Sequence, residues 1–75
     1  MNAEIDIIKG FREKLGLTQL ELAKFLGYTS YTTVQKWELG LIDIPKPVLI
    51  LIKLLTKTKK EKALEIVKKG MYLWS

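Results

Sequence analysis

Residues 18 to 40 constrain this chain more than any other stretch, because they hold two short helical patterns hinged on one glycine. Thr18 is a good N-cap, and Glu21 three residues later completes a capping box, in which side chain and backbone satisfy each other's orphan donors. Leu22, Ala23, Phe25 and Leu26 then fall on one face, while Gln19, Glu21 and Lys24 stay polar. Gly27 ends this helix and permits a sharp turn, and Ala23 is small enough to let the next helix cross closely. Thr29 or Ser30 can cap a further helix that runs to about Leu39, with Val34 and Trp37 three apart on its inward face. Tyr31, Thr32, Gln35 and Lys36 are then left toward solvent or a partner. Gly40 closes the pattern.

On either side of this unit the periodicity stays helical. The spacing of Ile5, Ile8, Phe11, Arg12 and Leu15 predicts a helix over residues 3–15, with acids in its first turn, bases near its end and Gly16 as its stop. Gly10 inside it costs about 1 kcal/mol against alanine, which close approach by another helix would explain. A loop, Leu-Ile-Asp-Ile-Pro-Lys-Pro, leads at residues 41–47 into a proline-initiated helix over 47–56. That helix is apolar almost all round and must be covered on more than one side. A last helix is expected over 60–69, stopped by Gly70 and followed by an apolar tail, residues 70–75, in which Leu73 or Trp74 is tied down, in this subunit or across a dimer.

Seventy-five residues make one small domain, without cysteine to staple it, so helix packing and a second subunit are the available sources of stability. Histidine is absent too. With neither residue type, no metal-ligand spacing among the carboxylates and no glycine-rich phosphate loop, the chain reads as no enzyme and implies no cofactor. The longest apolar run, Val48 to Ile52, is far short of the roughly 20 residues that span a bilayer, so a cytoplasmic protein with no membrane partner is expected. The formal net charge is +5, and the excess lies in the second half: residues 1–45 hold five Lys/Arg and six Asp/Glu, residues 46–75 eight Lys and two Glu. A basic chain favours nucleic acid or another anionic surface. Lysines 57, 59, 60 and 62 have no interleaved aromatic to stack on bases, and read as solvated surface that attracts DNA at long range.

The run Arg-Glu-Lys-Leu-Gly-Leu-Thr-Gln-Leu-Glu-Leu-Ala-Lys-Phe-Leu-Gly, followed by Val-Gln-Lys-Trp-Glu-Leu-Gly, resembles the Cro/repressor (XRE-type) helix-turn-helix family of phage and bacterial regulators. The resemblance spans residues 5 to 55 and rests on Arg12, Gln19, Ala23, Gly27, Val34, Trp37 and Glu38. In one place the chain departs from the pattern: six residues separate Gly27 from Val34, where the family has five. The extra residue is expected in the turn near Tyr28 or Thr29, so the recognition helix is aligned backwards from Trp37.

The resemblance implies an all-α, compact five-helix lambda-repressor-like DNA-binding domain. It implies a sequence-specific regulator of transcription that binds double-stranded DNA, a repressor on a palindromic operator, acting as a homodimer. Thr18, Gln19, Thr29, Ser30, Tyr31, Thr32, Gln35, Lys36 and Lys46 are the expected DNA-facing residues. Arg12 and Glu38 match a structural ion pair between the first helix and the end of the recognition helix. The family's basic loop is replaced here by Leu41, Ile42 and Ile44, which with Leu73 and Trp74 form the expected dimer interface. The same apolar loop supports a second reading, a helix-turn-helix module that docks a protein, such as an antitoxin or a phage partner-docking protein. With no room for a sensor domain, regulation would come from a partner protein or from dimer dissociation.

Overall fold

The computed structural model describes residues 2–73. Five helices follow one another, α1 (Ala3–Lys14), α2 (Gln19–Phe25), α3 (Thr32–Glu38), α4 (Lys46–Thr56) and α5 (Lys60–Leu73), with no strand among the described residues. This is the expected all-α, five-helix architecture. α1 packs on α3 and α4, α2 on α3 and α5, and α4 on α5.

Local chemistry sets the helix ends. Asn2 Oδ1 accepts from the Glu4 N–H at 2.8 Å and starts α1. The capping box of α2 is complete, with Glu21 N–H on Thr18 Oγ1 at 3.0 Å and Thr18 N–H on Glu21 Oε1 at 2.8 Å. α2 ends where Gly27 takes a φ of 91°, a left-handed conformation that costs an L side chain dearly. There the Tyr28 N–H reaches back to the Ala23 carbonyl at 2.9 Å and Gly27 N–H to Lys24 at 3.1 Å, which satisfies two carbonyls of the last turn. α1 and α3 end in the same way.

The core collects Ile8, Phe11 and Leu15 from α1, Leu22 and Ala23 from α2, Val34 and Trp37 from α3, Leu49, Ile52 and Leu55 from α4, and Ala63 and Val67 from α5. No polar side chain among the described residues is fully buried. At about 1.5–3 kcal/mol per buried large side chain, this core supplies most of the stability that the short helices lack alone.

Three expectations are corrected. Ile44 is not free dimer surface; it is buried in the core beneath the loop that leads into α4. Leu73 is 79% exposed in the last turn of α5, where the described residues leave it open to a second subunit, and Trp74 lies outside the described residues. Gly70 does not stop α5, which runs on to Leu73. Its φ is not positive; instead Gly70 is buried where α5 crosses α2, and a Cβ there would overlap the Phe25 ring, 2.6 Å from Cε1. Gly10, in contrast, is approached by nothing: a Cβ would meet no atom within 4 Å.

These two glycines should therefore respond oppositely to alanine. Gly10→Ala is expected to stabilise by about 0.5–1 kcal/mol through helix propensity. Gly70→Ala gains the same propensity but is expected to destabilise overall by about 1–3 kcal/mol through overpacking on Phe25. Urea denaturation of both variants measures the contrast. Equal stabilisation by both alanines would contradict the close approach of α2 and α5.

Candidate nucleic-acid interface

α3 is seven residues long and is held by one face only. Val34 and Trp37 are buried, which turns Thr32 and Lys36, one helical turn apart, outward to solvent. Gln35 lies beside them half-buried, and Tyr31, just before the helix, is exposed. Lys36 has no ion pair among the described residues, so its ammonium is available to an outside acceptor.

The six residues between Gly27 and Val34 are divided between turn and helix. Thr29 and Ser30 form an exposed bend, Tyr31 already has helical backbone angles, and α3 proper begins at Thr32. The N-cap position falls on Tyr31, which offers no side-chain cap. Ser30 serves from one residue earlier, its Oγ accepting from the Thr32 N–H at 3.2 Å and lying 2.8 Å from Thr32 Oγ1. The exposed Thr32 is thereby fixed in orientation.

Behind this face, one ionic network joins three helices. Arg12 Nε donates to Glu38 Oε2 at 2.7 Å and Nη2 to Oε1 at 2.9 Å, a bidentate pair between α1 and the end of α3. Its third donor, Nη1, holds the Leu17 carbonyl at 3.0 Å. Gln19 Nε2 donates to Glu38 Oε1 at 3.2 Å and brings in the start of α2. The two charged side chains are only 15% and 6% exposed. Burial alone would raise the Glu38 carboxyl, but the hydrogen bonds from Arg12 and Gln19 and the charges of Arg12 and Lys9 outweigh it and hold the group below its ordinary 4.5. The hydrogen bond to Glu38 in turn raises the Arg12 guanidinium against the opposing effect of burial.

Gln19 and Thr18 therefore stand at the start of α2 with their orientation set. The Gln19 amide keeps one N–H and its carbonyl for other partners. Thr18 Oγ1 accepts within the capping box, which leaves its own proton to donate outward. Lys46 is exposed in the first turn of α4, on the far side of the loop from α3. Two features escaped the sequence reading. The Gln19–Glu38 bond has no sequence signal. Tyr28 stands edge-on to Trp37, with ring centroids 5.7 Å apart and planes at 79°.

A model of the helix-turn-helix family matches residues 8–58, more than half of the chain. The chain belongs to that family, in its Cro/XRE-type form. α2 and α3 are the two helices of the motif, and the rest of the match takes in α4 and most of α1. This helix-turn-helix family is one of DNA-binding regulators of transcription rather than of enzymes. Neither a curated protein nor a solved structure matches the chain. Among the described residues no helix is long and apolar enough to cross a membrane, and no three His, Cys, Asp or Glu are grouped to hold a metal ion.

Proposed function

We propose that this helix-turn-helix protein is a sequence-specific repressor that binds a palindromic operator as a homodimer. The observation that carries the reading is the outward face of α3, where Thr32 and Lys36 project from a helix whose opposite face is locked by Val34 and Trp37. α3 lies in the major groove. Lys36 donates to guanine O6 and N7, and the Thr32 methyl group meets a thymine methyl. Tyr31, Ser30, Thr29 and Gln35 flank them on bases or phosphates. Thr18, Gln19 and Lys46 hold phosphate oxygens and set the register. The lysines of α5 and its connector add long-range attraction.

Dimerisation is supported by apolar surface that one chain leaves exposed: Leu39 and Leu41 at 64% and 67%, Ile42, and Ile50 and Leu54 on the outer face of α4. Symmetric pairing would present two α3 helices about 34 Å apart, one turn of DNA.

Binding-site selection from random duplex DNA, followed by titration, tests this. The selected site is expected to be two-fold symmetric; a lone asymmetric half-site would count against the dimer. Lys36→Ala and Thr32→Ala should each weaken binding to it by about 1–3 kcal/mol. Unchanged affinity in both variants would remove α3 from the groove. Binding should also weaken steeply with salt, as released counterions require.

The exposed Leu41 and Ile42 favour one other reading, a helix-turn-helix module whose loop docks a protein. Binding of that kind should barely respond to salt, and the selection would return no site.

A further inference from the structure

Between α1 and α4 lies an open groove of about 380 Å³ that touches neither α2 nor α3. Ile7, Gly10 and Phe11 line it from α1. Thr56 lines it from α4, its hydroxyl donating to the Ile52 carbonyl at 2.8 Å and so having its proton already committed. Around this apolar floor stand Lys14, Lys53 and Lys57, opposed by a single carboxylate, Asp6. None of the three lysines has an ion pair among the described residues.

Gly10 makes the groove more than an accident of packing. A mid-helix glycine is a standing cost, and folding gives this one no return, since no helix approaches it and its backbone is ordinary. What its missing side chain does is keep the floor open. An uncovered apolar floor with an unpaired cationic rim fits an occupant with the opposite arrangement. The cations come from two separate elements, which suits carboxylates spread along a chain better than a single anionic head group.

We propose that this groove docks a short segment of a partner protein in which a large apolar side chain is flanked by Asp and Glu. The apolar side chain sits over Gly10 between Ile7 and Phe11, and its acidic neighbours pair with Lys14, Lys53 and Lys57. Because the groove lies off α2 and α3, the partner and DNA can be held together. The proposal goes beyond the repressor reading and stands or falls separately from it.

The test is an NMR titration of the full chain, isotope-labelled, with the peptide acetyl-Asp-Glu-Leu-Phe-Glu-Asp-amide. Controls are its counterparts with Lys for each acid and with Ser for Leu-Phe, and decanoate as a single-headed anion. The acidic peptide is expected to give saturable shifts confined to the amides of Ile7, Gly10, Phe11, Lys53 and their neighbours, and the controls none. Gly10→Leu, which fills the floor, and Lys53→Glu, on an exposed side chain, should each weaken binding about tenfold or more. Gly10→Leu should keep the amide dispersion of the parent chain outside the groove, which reports that the variant is folded.

No saturation by the acidic peptide, or binding untouched by both substitutions, would overturn the proposal. So would equal binding of the lysine peptide or of decanoate. Shifts at the groove on concentrating the protein alone would overturn it in favour of a second copy of this chain.

Discussion

Replacing Arg12 by alanine is expected to lower stability by about 3–5 kcal/mol, because one partner of a largely buried ion pair is removed and the other stays behind. Glu38 would keep only the Gln19 amide as a donor, and the Leu17 carbonyl would lose the guanidinium that holds it. The pair is bidentate, so no single water restores its geometry. Most of this effect is the cost of a stranded carboxylate rather than the net worth of the pair. Replacing both residues by leucine should therefore cost much less than Arg12→Ala alone. Urea denaturation at neutral pH measures both variants; a loss below about 1 kcal/mol in Arg12→Ala would place the pair among ordinary surface contacts.

The same pair predicts the pH dependence. Glu38 has a folded-state value below its ordinary 4.5. The stability it contributes is thus fully present above 4.5 and is lost as pH falls through the lowered folded-state value. Arg12→Ala removes the main cause of that lowering, so the gap between the two proteins should narrow progressively as the solution is acidified below 4.5. A gap that stays constant down to acid unfolding would show that the carboxylate is not the stranded group.

What could be read in the sequence follows the reach of each interaction. The Thr18–Glu21 box acts over three residues and is legible from spacing alone. The Arg12–Glu38 pair spans α1 to α3 and was visible only through the family resemblance. Gly27 and Gly70 look alike in sequence, yet one needs a left-handed backbone and the other a helix against its flank. The second cause depends on Phe25, far away in the chain, so Gly70 was misread as a stop. Gly10 was misread in the opposite sense, as a close approach that does not occur. Ile44 shows the same limit: an apolar residue in a loop can face a partner or its own core, and only the path of the chain decides. The outward set on α3 was legible because burial of Val34 and Trp37 fixes the rest of a short helix by rotation.

That rotation depends on one side chain above all. Trp37→Ala is expected to cost about 3–5 kcal/mol, as for other large aromatics removed from a core. Trp37 is 1% exposed and stands among the largest fully buried side chains of the core. Its ring also carries the edge-on contact with Tyr28, worth about 0.5–1.5 kcal/mol beyond burial, and so anchors the turn that leads into α3. A seven-residue helix has no stability of its own, and without this anchor α3 should fray along with the Ser30–Thr32 contact that orients its start. Trp37→Ala should therefore lose duplex binding out of proportion to Lys36→Ala, although Trp37 faces away from any groove. Far-UV circular dichroism in urea gives the stability, and titration on the selected operator gives the affinity. Titration at a temperature where the variant remains mostly folded separates the two effects. Affinity kept there at the wild-type level would mean that α3 holds its outward face without Trp37, and that Val34 and the Arg12–Glu38 pair suffice to position it.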